Sequence, residues 1–293
     1  MNLSLGVSYK NILSNKTLPE MPPFVNISSM IPWKRLSHLF FLFGAAVLGG
    51  ALNAVAGGGS FVGFPSLLFT GLPPIQANAT NTIALWPGSL ASVGAYWREL
   101  AQQKRGFLLL LVGSSLVGGM LGSLLLLRTP QETLFNLIPY LLLGTTVLFA
   151  CRTLLTTRLR WLVRENKPPS VPTLAGGALA QLAIALYGGY FGGGLGILLL
   201  AILAIMGMEN VHQMNSLKTL LTSCINGVAV VTFLCAGTIA WPQAIVMISG
   251  AILGGYGGAF YGRKIEQRWV RLLVILVGFS LTLYFFVLQK VRG

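Results

Sequence analysis

Asn53-Ala-Val-Ala-Gly-Gly-Gly-Ser60 is followed by Phe61-Val-Gly-Phe-Pro-Ser-Leu-Leu-Phe-Thr-Gly71 and then by Leu72-Pro-Pro-Ile-Gln-Ala-Asn-Ala-Thr-Asn-Thr82. The stretch is apolar, yet it is interrupted by glycine, proline and small amides. Glycine costs about 1 kcal/mol and proline about 3 kcal/mol relative to alanine inside a helix. An uninterrupted membrane-crossing helix would not be written this way. The 11 residues Ser60–Thr70 rise only ~16 Å as a helix, about half of a bilayer's hydrocarbon core. The pattern therefore predicts a helix that stops at a glycine triplet, a short helix that re-enters, and a further span. A related stretch runs from Gly188 to Thr219.

Working outward, long apolar runs flank this stretch at Leu36–Ala56, Phe107–Leu127, Leu134–Leu154 and Val270–Leu288. Each reaches the ~20 residues that a bilayer-crossing helix needs. A further span is expected at Asn78–Tyr96. The chain has 293 residues, of which 54% are hydrophobic and only 9% charged, against about 25% charged in soluble domains. This is a polytopic membrane protein. The net charge of +14 sits mainly at the ends of apolar runs. It points to topology and lipid headgroups rather than to nucleic acid.

The second half echoes the first. Gly57-Gly58-Gly59 recurs as Gly192-Gly193-Gly194, Gly71 as Gly207, Asn78 and Thr82 as Asn215 and Thr219, Gly118-Gly119 and Gly122 as Gly254-Gly255 and Gly258, and Gly144 as Gly278. The spacing drifts by only three residues along the chain, which indicates duplication of one unit. The expected fold is an all-α membrane protein with about eight transmembrane helices in two tandem four-helix repeats, each with a Gly-broken, re-entrant segment. Residues 1–35 form a polar extension expected to be disordered, without the apolar core of a signal peptide. Residues 36–154 form the first repeat, 155–171 a basic, proline-containing linker, and 172–293 the second repeat.

An even number of crossings per unit inserts both halves with the same orientation. Lys34, Arg35, Arg98, Lys104, Arg105, the linker cations, Lys290 and Arg292 outnumber the cations expected on the opposite side. This bias predicts that both termini are cytoplasmic. The cluster Arg263–Arg271 runs against it.

The chain lacks aspartate altogether, and its six glutamates fall in loops or at span ends. There is no phosphate-binding G-x-x-x-x-G-K-[ST] loop, no H-E-x-x-H and no mid-span carboxylate. These absences exclude nucleotide hydrolysis by this chain and argue against an intramembrane protease or a carboxylate proton relay. No enzymatic activity, cofactor or metal site is expected. Cys151, Cys224 and Cys235 stand at no metal-ligand spacing and read as free thiols. His38, His212 and Gln181 read as interface residues or interhelix contacts.

Two features carry candidate chemistry. The first is the glycine triplets with Asn53 and Ser60. Backbone free of side chains can line a cavity at membrane depth. Ser60 is placed to cap the short helix, whose N-terminus would favour an anion. The alternative is close helix packing, the preferred reading for Gly118, Gly119, Gly122, Gly254, Gly255 and Gly258. The second is the repeated N-x-x-[N/K]-T. It puts Asn78, Asn81 and Thr82 on one helical stripe, and Asn215, Lys218 and Thr219 on its counterpart. Amides and hydroxyls can donate to an oxyanion, and Lys218 brings a full charge. Interhelix adhesion by the amides and snorkelling by Lys218 are the alternatives.

The combination L-N-A-V-A-G-G-G-S-F, G-L-P-P, A-N-A-T-N-T and W-R-E-L with G-G-Y-F-G-G-G-L-G-I and N-S-L-K-T resembles the TauE/SafE family, over about Leu36 to Leu288. That family comprises sulfite and organosulfonate exporters and related anion permeases of the bacterial inner membrane. The resemblance implies a secondary transporter or facilitator for a small anion, with the glycine and amide motifs forming its path. Membrane lipids, and a second copy of the chain, are the other expected partners. The competing class is a membrane scaffold or subunit that binds a partner protein and moves nothing.

Overall fold

The computed structural model describes residues 32–56, 58–151, 171–208, 210–261 and 267–292. Among them are eleven α-helices and no strand. In chain order they are α1 (Pro32–Ala56), α2 (Ser60–Phe69), α3 (Pro74–Ala95), α4 (Trp97–Ala101), α5 (Arg105–Arg128), α6 (Gln131–Ala150), α7 (Val171–Tyr190), α8 (Leu195–Ile205), α9 (Val211–Cys235), α10 (Trp241–Tyr261) and α11 (Gln267–Arg292). The N-terminal extension to residue 31, most of the linker, Gly57 and residues 262–266, which include Arg263 and Lys264 of the cation cluster, lie outside the described residues.

Five of the described helices contain a segment long and apolar enough to cross a membrane: Leu36–Ala54, Arg105–Arg128, Gln131–Ala150, His212–Cys235 and Val274–Val291. The chain is thus a multi-pass membrane protein. Helices α3, α7 and α10 span 22, 20 and 21 residues. The polar run through α3 (Gln76, Asn78, Thr80, Asn81, Thr82) lowers its apolar character. Outward faces carry Phe40, Leu109, Leu179, Leu253 and Leu283, all exposed, whereas Asn78, Thr80, Asn81 and Gln181 are buried. This distribution suits a bilayer, where lipid solvates the apolar surface and polar groups must find partners inside.

Boundaries move for identifiable reasons. The third helix starts at Pro74 rather than near Asn78, because proline at the first helical position lacks only an amide that would be unpaired there anyway. The apolar run expected at Leu134–Leu154 is helical from Gln131 to Ala150, with Cys151 as the C-cap, and its last three residues lie outside the described residues.

The two most extensive helix pairs are α1 with α10 and α5 with α7. Each joins the N-terminal half to the C-terminal half. Both depend on glycine. A Cβ at Gly254 would strike the Val47 carbonyl oxygen, and one at Gly258 would lie 2.6 Å from Ala51 Cα. A Cβ at Gly122 would strike the Leu186 carbonyl oxygen, and one at Gly118 would lie 2.6 Å from that of Leu182. These glycines let helix backbones touch, the small-xxx-small solution to membrane packing. Gly255 is looser, with only the Gly50 oxygen at 4.0 Å. Gln181 Nε2 donates to Ser115 Oγ at 2.8 Å across the α5–α7 pair.

Candidate functional site

The glycine turn of the first half packs against the helix it interrupts. A Cβ on Gly59 would lie 2.6 Å from the Gly49 carbonyl oxygen and 2.9 Å from Asn53 Cβ. Asn53 therefore backs the turn. Ser60 does not cap α2, contrary to the expectation from sequence. Gly59 holds the cap position with helical angles (φ −57, ψ −35), and no side chain bonds to the helix N-terminus. A capping residue needs extended angles to fold its hydroxyl back onto the first amides. Ser60 is already inside the helix, and its Oγ instead accepts from Asn81 Nδ2 at 3.2 Å.

The second turn departs from the first at its third glycine, where Gly194 is left-handed and Gly59 helical. Gly192 and Gly194 take left-handed angles, φ 74 and φ 68, which glycine adopts without steric cost. The Tyr187 hydroxyl donates to the Gly193 carbonyl at 2.8 Å. A Cβ on Gly193 would lie 3.0 Å from Thr145 Cγ2. Neither Tyr187 nor Thr145 was singled out by the sequence.

The two stripes share one local bond. Thr82 Oγ1 donates to the Asn78 carbonyl at 2.8 Å, and Thr219 Oγ1 to the Asn215 carbonyl at 2.8 Å. Both hydroxyl protons are therefore committed to their own helices. Asn78, buried on α3, donates through Nδ2 to the Tyr190 carbonyl at the end of α7, at 2.8 Å. Asn81 is 2% exposed, and its Oδ1 has no hydrogen-bond partner. That oxygen faces Gly63 of α2 so closely that a Cβ on Gly63 would strike it.

Lys218 and Asn215 are half-buried on α9. Lys218 lies against Gly196, where a Cβ would be 3.4 Å from its Cδ. In each half, then, the fourth residue of N-x-x-[N/K]-T lies against a glycine in the first turn of that half's short helix. Gly63 and Gly196 escaped the sequence reading because the adjacent triplets supplied the stronger pattern.

The short helices begin at a common place. Phe61 at the start of α2, Ile197 in the first turn of α8, Phe149 of α6 and Val274 of α11 form one buried cluster. Phe61 meets Phe149 edge-on at 5.9 Å, and Phe64 meets Phe191 edge-on at 5.5 Å. His212 is exposed in the first turn of α9, where Asn210 Oδ1 accepts from its backbone amide at 2.9 Å. Among the described residues no three His, Cys, Asp or Glu side chains gather as a metal site.

A glycine-packed, multi-pass helical protein whose broken helices start from one buried centre has the build of a membrane transporter. Comparison narrows the class. The family model for the sulfite exporter TauE/SafE matches residues 42–285, and the chain belongs to that family. A probable membrane transporter protein of Haemophilus influenzae is 29% identical over 245 residues, covering 83% of this chain and 92% of the relative. The probable membrane transporter protein YfcA of Escherichia coli K12 is 27% identical over 243 residues, covering 80% and 85%. The probable membrane transporter protein ORF9 of a Sinorhizobium species is 28% identical over 246 residues, covering 84% and 91%. No solved structure matches.

Proposed function

We propose that this chain is a secondary transporter or facilitator that exports a small anion, with sulfite or an organosulfonate as substrate. The observation that carries the reading is the placement of Lys218 on Gly196 in the first turn of α8. A helix N-terminus carries roughly half a positive charge. Lys218, whose stem lies against Gly196, brings a cationic side chain to the same end of α8, and an anion is attracted by both. No carboxylate lies on either stripe. The family description names sulfite, while the relatives' names leave their substrates open.

The transport unit is two tandem four-helix repeats making eight crossings of the cell's inner membrane, with both termini cytoplasmic. Supporting this, Trp86 and Ser223 stand 137 residues apart, the same offset as Asn78 to Asn215, and they touch: Trp86 Nε1 donates to the Ser223 carbonyl at 3.1 Å. Contact between equivalent positions is what a pseudo-two-fold axis between α3 and α9 requires. Reciprocal packing of α1 on α10 and α5 on α7 fits the same axis.

The anion binds between the starts of α2 and α8, near Asn53, Gly57, Gly58, Gly59, Ser60, Gly192, Gly193 and Gly194. Asn78, Asn81, Thr82, Asn215, Lys218 and Thr219 line its approach. In the conformation described, Asn78 and Asn81 give their Nδ2 protons to Tyr190 and Ser60. They become donors to the anion when α3 parts from these partners, so alternating access and coordination are one movement. The test is sulfite efflux from proteoliposomes. Lys218→Asn, which makes the second motif resemble the first, should raise KM about 10-fold or more, the loss of one hydrogen bond to a charged group. If Lys218→Ala and Asn78→Ala both leave flux intact at normal expression, the assignment is wrong.

A further inference from the structure

A cavity of about 390 Å³ lies outside the candidate anion site, lined by Trp86 of α3, Leu116 and Met120 of α5, and Ser223, Cys224, Gly227, Val228, Val231 and Thr232 of α9. Its volume falls within the ~300–1,000 Å³ of ordinary ligand pockets. We propose that it holds an acyl chain of a bilayer phospholipid, wedged between α5 and α9 with its end against the Trp86 indole.

Three observations identify the occupant. The position is on two helices that are apolar and long enough to cross the bilayer, at the middle of α5 and along the C-terminal half of α9. The rim residues Leu116, Met120 and Val231 are 39%, 45% and 57% exposed on those helices. The mouth therefore opens sideways into hydrocarbon, where the surrounding medium is itself acyl chain. The third observation is that the lining turns its polar atoms away. Thr232 Oγ1 donates to the Val228 carbonyl at 2.9 Å, and the Ser223 carbonyl is taken by Trp86. The Ser223 hydroxyl oxygen is buried without a hydrogen-bond partner and exposes almost no surface to the cavity. A polar solute would find little to bind, whereas a methylene chain needs no partner.

Gly227 makes room for the indole. A Cβ there would lie 3.2 Å from Trp86 Nε1. The chain thus reaches the contact that joins α3 to α9, one turn beyond Thr82 and Thr219 on their respective helices.

Trp86 reports on its own cavity. The full chain is reconstituted in dibromostearoyl phosphatidylcholine vesicles and in unbrominated ones, and fluorescence is recorded for it and for Trp86→Phe. The difference isolates Trp86 from the other tryptophans. The Trp86 signal should lose most of its intensity in brominated lipid and be untouched by aqueous iodide. Val228→Phe, which fills the cavity from α9, should restore most of it. Met120→Phe makes the same test from α5 if Val228→Phe does not fold. Absence of bromine quenching, quenching that the filled variants leave unchanged, or quenching by iodide would each overturn the proposal.

Discussion

Replacing Gly63 by alanine tests whether the first stripe is held as tightly as the structure has it. The added Cβ would strike Asn81 Oδ1 and would lie 3.3 Å from Met247 Cε and 3.4 Å from Asn81 Cγ. Met247 ends in a flexible methyl and can move. Asn81 cannot move freely, since it is 2% exposed and tethered to Ser60 at 3.2 Å. Overpacking of this kind costs about 1–3 kcal/mol, and loss of the amide bond adds about 0.5–1.5 kcal/mol. Removing a helical glycine returns about 1 kcal/mol. The net destabilisation is therefore about 0.5–3.5 kcal/mol.

Gly196→Ala is the matched control. Its Cβ would make an ordinary 3.4 Å contact with the Lys218 stem, and only the helix-propensity gain of up to ~1 kcal/mol remains. Thermal unfolding in detergent, followed with a thiol-reactive dye, measures both. Adding Asn81→Ala to Gly63→Ala should recover stability, with a coupling of about 0.5–3 kcal/mol. Gly63→Ala as stable as the parent, together with strict additivity in the cycle, would refute the packing of Asn81 on α2.

Other consequences concern the interfaces and the second turn. Gly122→Ala and Gly254→Ala push a Cβ into a neighbouring helix's backbone, so each should cost at least ~1–3 kcal/mol and broaden the size-exclusion profile, whereas Gly113→Ala, with open space around it, should not. Asn78→Ala leaves the Tyr190 carbonyl without its side-chain donor and should destabilise by about 1–3 kcal/mol, read as a lower unfolding temperature. Gly194→Ala forces a side chain into left-handed backbone at φ 68, at a cost of roughly 1–2 kcal/mol, and should lower transport more than Gly144→Ala, which meets nothing nearby.

The amino-acid sequence by itself determined that this is a helical membrane protein, because helix length and apolar composition are local properties. It marked both glycine breaks, since three consecutive glycines weaken a helix wherever they fall. It read Gly118, Gly122, Gly254 and Gly258 as packing glycines, and they do sit where backbones meet; Gly59 of the first triplet also packs closely, against the Gly49 carbonyl.

Only the tertiary structure decided what the polar residues do. Ser60 had the composition of a cap, yet it accepts from Asn81, because Gly59 turned helical one residue early. The third glycines of the two triplets match in sequence but not in backbone angle: Gly59 is helical against Gly49, and Gly194 is left-handed beside Thr145. Periodicity placed Asn81 on one stripe with Asn78, and Lys218 on one stripe with Asn215. That each meets a first-turn glycine of its short helix depended on how distant segments pack, and no local pattern encodes that distance.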